Sequence, residues 1–241
     1  MGADSGRVSL EPAFVLHGVP WKETSLIVDC FTPHFGRVAL VAKGVRRPRS
    51  ALRGLMHPFQ PLLVSWLGQG ELRTLRTAEW QGGLPQLSGK ALFCGFYLNE
   101  LLLRLLGRDD PHETLFALYA EALSRLAAEA PLEPVLRVFE VALLRELGYA
   151  PPLEREADTG QAIDPEAQYR FELERGALRV EGAGGNAVQF RGKTLLDMAR
   201  SHYDDPVTLS QSKQLMRLLL GHHLGYQELH TRRIFQELPL L

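Results

Sequence analysis

Six cations share a stretch of chain that holds no carboxylate. Arg37, Lys43, Arg46, Arg47, Arg49 and Arg53 lie between Cys30 and Gly70, and those 41 residues contain neither Asp nor Glu. With 28 acidic residues in 241, an acid-free run of that length is uncommon. Cations without local counter-charge suit a phosphodiester backbone, because each one placed on a phosphate releases condensed counterions. Phosphate contact is therefore the expectation for these side chains, and a merely solvated loop is the alternative. Aromatic rings beside such a window can stack on bases. Phe31, Phe35, Phe59 and Trp66 are the rings nearest to it, and for Phe31, Phe59 and Trp66 a place inside a barrel is favoured over stacking.

Other chemistries find less support. No GxxxxGK[ST] loop occurs, and Gly182-Ala-Gly-Gly185 precedes no convincing helix, so a flexible turn explains it. Cys30 and Cys94 are 64 residues apart with no CxxC, which excludes a disulfide framework or a four-cysteine zinc site and leaves two buried thiols. His222 and His223 are neighbours that point to different faces of a helix, a surface pair rather than metal ligands. Neither a nucleophile elbow nor a Cys–His or Ser–His–Asp signature is present, so no catalytic residue and no cofactor are assigned. Met1–Arg7 lacks the apolar core of a secretory leader, and no 18-residue apolar run is present to span a membrane. The formal charge of −1 hides an asymmetry: residues 1–80 carry ten basic and six acidic side chains, residues 81–241 carry 17 and 22. A basic part joined to an acidic one points to an anionic partner.

The elements that position the cations change character near residue 80. Before it, Pro12–Val19, Thr24–Phe31, Gly36–Lys43, Phe59–Trp66 and Leu72–Glu79 are short runs rich in Val, Leu, Phe and Thr, most of them bounded by Gly or Pro. Thr32–Gly36 and Leu67–Gly70 read as hairpin turns. Five short strands are too few for a two-sheet sandwich, and a five-stranded OB-type barrel removes their exposed edges. Arg37 and Lys43 fall on the third run, and Arg46, Arg47, Arg49 and Arg53 decorate the long connection 44–58. After residue 80 the period is helical, with helices expected over Lys90–Leu106 (N-capped by Ser88), His112–Ala128, Leu132–Leu147, Gly192–His202, Pro206–Leu224 and Glu228–Leu238. Tyr169–Leu173 with Ala177–Glu181 reads as a hairpin inserted at about 151–190, and Glu181–Asn186 as loop. The fold class is α+β multidomain, with an OB-fold at 1–80 and a mainly α-helical part at 81–241.

Four stretches carry a resemblance. Phe14-Val-Leu-His-Gly-Val-Pro-Trp-Lys-Glu-Thr-Ser-Leu26 with Gly36-Arg-Val-Ala-Leu-Val-Ala-Lys-Gly44 is the first; Leu52-Arg-Gly-Leu-Met-His-Pro-Phe-Gln-Pro-Leu-Leu63 and Gly95-Phe-Tyr-Leu-Asn-Glu-Leu-Leu-Leu-Arg-Leu-Leu106 follow. The last is Glu133-Pro-Val-Leu-Arg-Val-Phe-Glu140, continuing to Leu147-Gly-Tyr149. In this order, over essentially the whole chain, they resemble the bacterial RecO family of recombination mediators in its gamma-proteobacterial form. The resemblance implies an OB-fold and a helical domain, a cytoplasmic place at the nucleoid, and binding of single- and double-stranded DNA. It also implies annealing of complementary strands and help in loading the RecA recombinase, usually with RecR. A further implied partner is the acidic C-terminal tail of the single-stranded DNA-binding protein, for which Arg104 and Arg137 stand in matching motifs; a solvated helix arginine is the alternative for each.

The chain departs from the family in two places. Many members carry a four-cysteine zinc element where this chain has Glu154-Arg-Glu-Ala-Asp-Thr-Gly160, so zinc is not expected. The C-terminal Leu-x-Ser-Arg-x-Leu/Phe pattern appears as Leu229-His-Thr-Arg-Arg-Ile-Phe235. Two rival classes remain, an interaction scaffold without direct DNA contact and a small cytosolic hydrolase.

Overall fold

A computed structural model describes residues 6–180 and 188–237. Met1–Ser5 of the stretch read as lacking a leader's apolar core, the Gly182–Gly185 turn within the loop at Glu181–Asn186, and Leu238 at the end of the last expected helix lie outside the described residues. The first five strands are β1 (Arg7–Trp21), β2 (Ser25–Thr32), β3 (Gly36–Ala42), β4 (Pro61–Leu67) and β5 (Leu72–Trp80). They close into a barrel in the order β1-β2-β3-β5-β4. All pairs are antiparallel except β3 with β5, where Ala39, Leu40 and Val41 face Leu72, Arg73 and Thr74. This is the expected OB-type closure.

β1 makes the closure possible because it is long enough to serve two neighbours. Its first half pairs with β4 and its second with β2. Irregularities between Val8 and Glu11, where Leu10 has φ +53°, and between Val15 and His17 bend it around the barrel. Inside, Val15, Val28, Cys30, Leu40, Val64 and Trp66 form a packed core, each at most 1% exposed. Burial also pushes the Cys30 thiol up to about 12, so it stays protonated and behaves as a small apolar group.

The connection 43–60 is a chain of turns rather than a loose loop. Arg47, Ser50 and Arg53 donate their backbone N–H to the carbonyls of Gly44, Arg47 and Ser50 at 3.1–3.2 Å. Val45 and Met56 enter the barrel core, with Leu52 and Leu55 packed against it. Apolar residues thus fix the connection from one side while its arginines stay in water.

At the β2–β3 turn, Glu11 accepts hydrogen bonds from the His34 N–H and from its Nδ1, both at 3.1 Å. That hydrogen bond, then the charge of Glu11, raises the His34 pKa. A raised folded value contributes stability fully below the free imidazole value near 6.5, and the contribution fades as pH rises through the folded pKa. The melting temperature of His34→Ala should therefore fall furthest below wild type under mildly acidic conditions and converge on it at alkaline pH. A difference independent of pH would exclude the ion pair as its source.

The barrel packs with helices α1 (Gly89–Leu105) and α2 (Glu113–Ala127) in one compact unit, Met1–Ala130 together with Leu229–Leu241. Ser88 occupies the N-cap position of α1, but its side chain makes no capping bond. Asn99, 2% exposed, donates to the Leu16 carbonyl at 2.8 Å and accepts from the Tyr119 hydroxyl at 2.5 Å, joining β1, α1 and α2 through one satisfied polar group.

Pro131–Glu228 form the second unit. It contains α3 (Leu132–Glu146), β6 (Gln168–Glu172), β7 (Gly176–Arg179), β8 (Gln189–Arg191), α4 (Gly192–Ala199) and α5 (Pro206–His223). The expected hairpin gains β8 as a third strand, in the order β7-β6-β8. In place of a cysteine cluster, Glu154–Ile163 closes on itself: Glu156 N–H donates to Gln161 O at 2.8 Å and Ile163 N–H to Glu154 O at 3.0 Å. The buried Glu156 carboxylate accepts from Thr159 and Tyr169. A thiol-free stretch whose buried carboxylate already accepts two hydroxyl donors does not fit a structural zinc site.

The last helix, α6 (His230–Glu237), returns to the barrel's unit. Glu100 on α1 accepts from His230 N–H (2.8 Å), Thr231 N–H (2.9 Å) and the Thr231 hydroxyl (2.7 Å). Burial opposes its ionisation, but these bonds and the Arg104 charge outweigh it, and the Glu100 pKa lies below the ordinary value.

Candidate nucleic-acid interface

Five of the six window cations are exposed, namely Lys43, Arg46, Arg47, Arg49 and Arg53. They occupy the exit of β3 and the turns that follow it. The first of these turns is tied to the β1–β2 turn: Arg46 N–H donates to Thr24 O at 2.9 Å, and its Nη1 to Lys22 O at 3.4 Å. Lys22 thereby joins the same end of the barrel. None of the five forms an ion pair among the described residues, whereas Arg73, Arg104, Arg108, Arg137, Arg175, Arg179, Lys193 and Lys213 each have a carboxylate within 4.0 Å. Among the described residues no carboxylate from elsewhere in the chain compensates the charge that the acid-free stretch leaves on these turns.

Arg37 is not brought to that place. It is the second residue of β3, about 20 Å of chain away from Lys43 at roughly 3.3 Å per residue. Its Nη1 donates to Leu103 O in the last turn of α1 at 2.5 Å, and its Nε is buried without a hydrogen-bond partner. Burial lowers its pKa against the pull of Asp29. A cation at the negative end of a helix joins β3 to α1 and has little of its surface left for a phosphate.

Of the three rings expected inside the barrel, Trp66 alone lies in its core; Phe31 is buried on the outer face against Phe116 and Tyr119, and Phe59 against Phe96, because the helices cover that side. Phe31, Phe59 and Trp66 are buried, and Phe35 packs edge-on to Trp66 at 5.1 Å. The exposed rings of the barrel are Trp21 and Trp80, neither of which the cation window pointed to. Trp80 donates its Nε1 hydrogen to Gln60 at 3.0 Å. Trp21 sits beside Lys22 at the β1–β2 tip, and that Trp-Lys dipeptide next to a turn is the signal that could have found it.

The two arginines matched to a partner's tail belong to different units. Arg104 pairs with Glu100 at 2.9 Å and keeps 22% of its side chain exposed. Arg137 is buried and paired with Glu140 one turn along α3, and Glu140 is fully buried. His222 and His223 do not point apart: their rings meet edge-on at 5.1 Å, with His223 stacked on Tyr149 at 4.3 Å and His222 edge-on to Tyr226. Burial first, then the His222 charge, lowers the His223 pKa. Among the described residues no group of three or more His, Cys, Asp or Glu is placed to hold a metal ion.

Known proteins match this chain along its whole length. The family model described as Recombination protein O N terminal matches residues 8–83, and Recombination protein O C terminal matches 86–233. A protein of Aromatoleum aromaticum named DNA repair protein RecO is 53% identical over 98% of each chain. A protein of the same name from Nitrosospira multiformis is 53% identical over the full length of both, and one from Dechloromonas aromatica is 52% identical over 98% of each. Many of the similar proteins come from beta-proteobacteria rather than from the gamma-proteobacteria whose form the sequence was likened to. With both halves matched in order, on a closed five-stranded barrel followed by helices, the chain belongs to the RecO family.

Proposed function

We propose that this protein binds DNA through the exposed cations at Lys43–Arg53, anneals complementary single strands and helps load the RecA recombinase on strands covered by single-stranded DNA-binding protein. The observation that carries this reading is the run of five exposed cations without carboxylate partners on one barrel connection. Membership in a family whose similar members are named DNA repair proteins supports it. The chemistry is non-catalytic: cations screen the repulsion between two anionic strands, and no bond is made or broken. Partners in this reading are single- and double-stranded DNA, RecR, and the acidic tail of the single-stranded DNA-binding protein. The exposed fraction of Arg104 is compatible with a tail carboxylate, whereas Arg137 is already neutralised inside its own unit. The place of action is the cytoplasm, on the nucleoid; no helix among the described residues is long and apolar enough to cross a membrane.

The test is a salt titration of binding to a single-stranded oligonucleotide, followed by annealing of two complementary strands. Log affinity should fall linearly with log salt by about 0.7 per phosphate contact, giving a slope of roughly −3 to −4 if all five cations engage. A flat salt dependence or absent binding would favour the scaffold reading.

A further inference from the structure

The outer face of β1, β2 and β3 is divided into a covered half and an open half. Across β1 and β2, Phe14 faces Phe31, His17 faces Asp29, Val19 faces Ile27 and Trp21 faces Ser25. Across β2 and β3, Phe31 faces Arg37, Asp29 faces Ala39 and Ile27 faces Val41. The alternate residues Val28, Cys30, Val38, Leu40 and Ala42 fill the barrel, so the first set faces outward. One half of that face is sealed by the helices. Phe14 and Phe31 meet Phe116 and Tyr119 with centroids 5.2–6.1 Å apart, and Arg108, just beyond α1, reaches Asp29 at 3.2 Å. Ala39, although outward, is 2% exposed.

The other half has no such cover. Val19 and Trp21 are each 42% exposed, and Ile27 and Val41 are partly exposed between them. The rim is cationic. Lys22 follows Trp21, Lys43 continues the outward side of β3 two residues after Val41, and Arg46 is bonded to the backbone of Lys22 and Thr24. Glu23 is a carboxylate at this turn and is itself exposed. An exposed apolar strip containing an indole face and rimmed by uncompensated cations marks a binding surface. Its complement is a strand that carries phosphates and unstacked bases together.

We propose that single-stranded DNA seats a base on Trp21 over the open half of this face, with Lys22, Lys43 and Arg46 on the flanking phosphates. The proposal rests on the DNA-binding reading above and adds to it a preference for single strands. Phosphate contacts alone carry no such preference, whereas a ring can stack only on a base that its own duplex has released.

The test uses the full chain and fluorescence anisotropy at one fixed salt concentration. Three probes of equal length are compared, an oligo-dT strand, an abasic strand and a blunt duplex. Trp21→Ala should weaken oligo-dT binding by roughly 5- to 100-fold, the range of one base–aromatic stack. It should leave the abasic strand and the duplex unchanged, and Trp21→Phe should recover most of the loss. In a Trp80→Phe background, emission from Trp21 should be quenched by oligo-dT and not by the abasic strand, since Trp66 lies inside the barrel. A folded Trp21→Ala that binds oligo-dT as wild type does, or that loses all three probes equally, overturns the stacking. Arg46→Ala with Arg47→Ala separates the two readings. If that pair weakens all three probes while Trp21→Ala is silent, the phosphate reading stands and stacking is wrong. If both are silent, both readings fall.

Discussion

Replacing Arg46 and Arg47 together with alanine is expected to lower affinity for single-stranded DNA about tenfold near 0.15 M salt. Two lost phosphate contacts remove about 1.4 from the log–log salt slope. Taken from 1 M, where the electrostatic part has vanished, to 0.15 M, that slope amounts to about one decade. The loss should be nearly the same for two unrelated oligonucleotides, because phosphate contacts position a strand without reading it. Annealing should slow in parallel, since bringing two anionic strands together depends on the cations between them. The fold should tolerate the change. Both side chains are exposed and without ion-pair partners among the described residues, and the 2.9 Å bond from Arg46 N–H to Thr24 O belongs to the backbone. Surface changes of this kind stay within about 0.5 kcal/mol. Anisotropy from low to high salt, on wild type and double variant, gives both affinity and slope. Unchanged values would mean that these arginines only solvate a connection. Arg37→Ala is the contrast: it removes the bond to Leu103 O, so its cost should appear in stability and leave the salt slope near wild type.

Arg137→Ala is expected to destabilise the protein by about 3–5 kcal/mol, the cost of breaking a buried ion pair from one side. Glu140 is fully buried, and the substitution removes the guanidinium that meets it within α3. Tyr203 belongs to the same interior; its phenol is held protonated by burial first and then by the Glu140 charge. Replacing both partners with apolar residues, Arg137→Met with Glu140→Leu, should recover much of the loss, because no charge then remains to be desolvated. Urea denaturation of the two single variants and the pair measures this coupling. The same variants decide the role of Arg137 in holding an acidic partner tail. A stable, folded Arg137→Ala that fails to bind a tail peptide would support that role. Loss of stability together with peptide binding would assign Arg137 to the interior of its unit.

The barrel was legible in the chain because strand signals are local. Alternating Val, Leu and Phe between Gly and Pro predict β2–β5 to within two residues at each end. The early start of β1 at Arg7 was not legible, because the irregularity at Leu10, with φ +53°, breaks the alternation on which such a reading depends. β8 was missed for its length, since three residues are too few to show a period. The uncompensated cations were legible as well. A stretch without carboxylates cannot neutralise itself, so the count predicts cations lacking local partners, while their exposure on the 43–60 connection was settled by the fold.

The fate of individual charges was decided by contacts far apart in sequence. Arg37 differs from its five companions because the Leu103 carbonyl, 66 residues away, closes over it. Glu100 belongs to the start of α6 through residues 130 and 131 positions later. Arg137 and Glu140 are a visible i, i+3 pair, but only the packing of α3 shows that both are buried, which turns a weak surface pair into a costly one to break. Trp21 and Trp66 are the same residue type on neighbouring strands; closure of the barrel puts one inside, and the limited reach of α1 and α2 leaves the other in water. Period and charge count reside in the chain itself. Burial, and therefore which ring or cation remains available to a partner, exists only once distant segments have met.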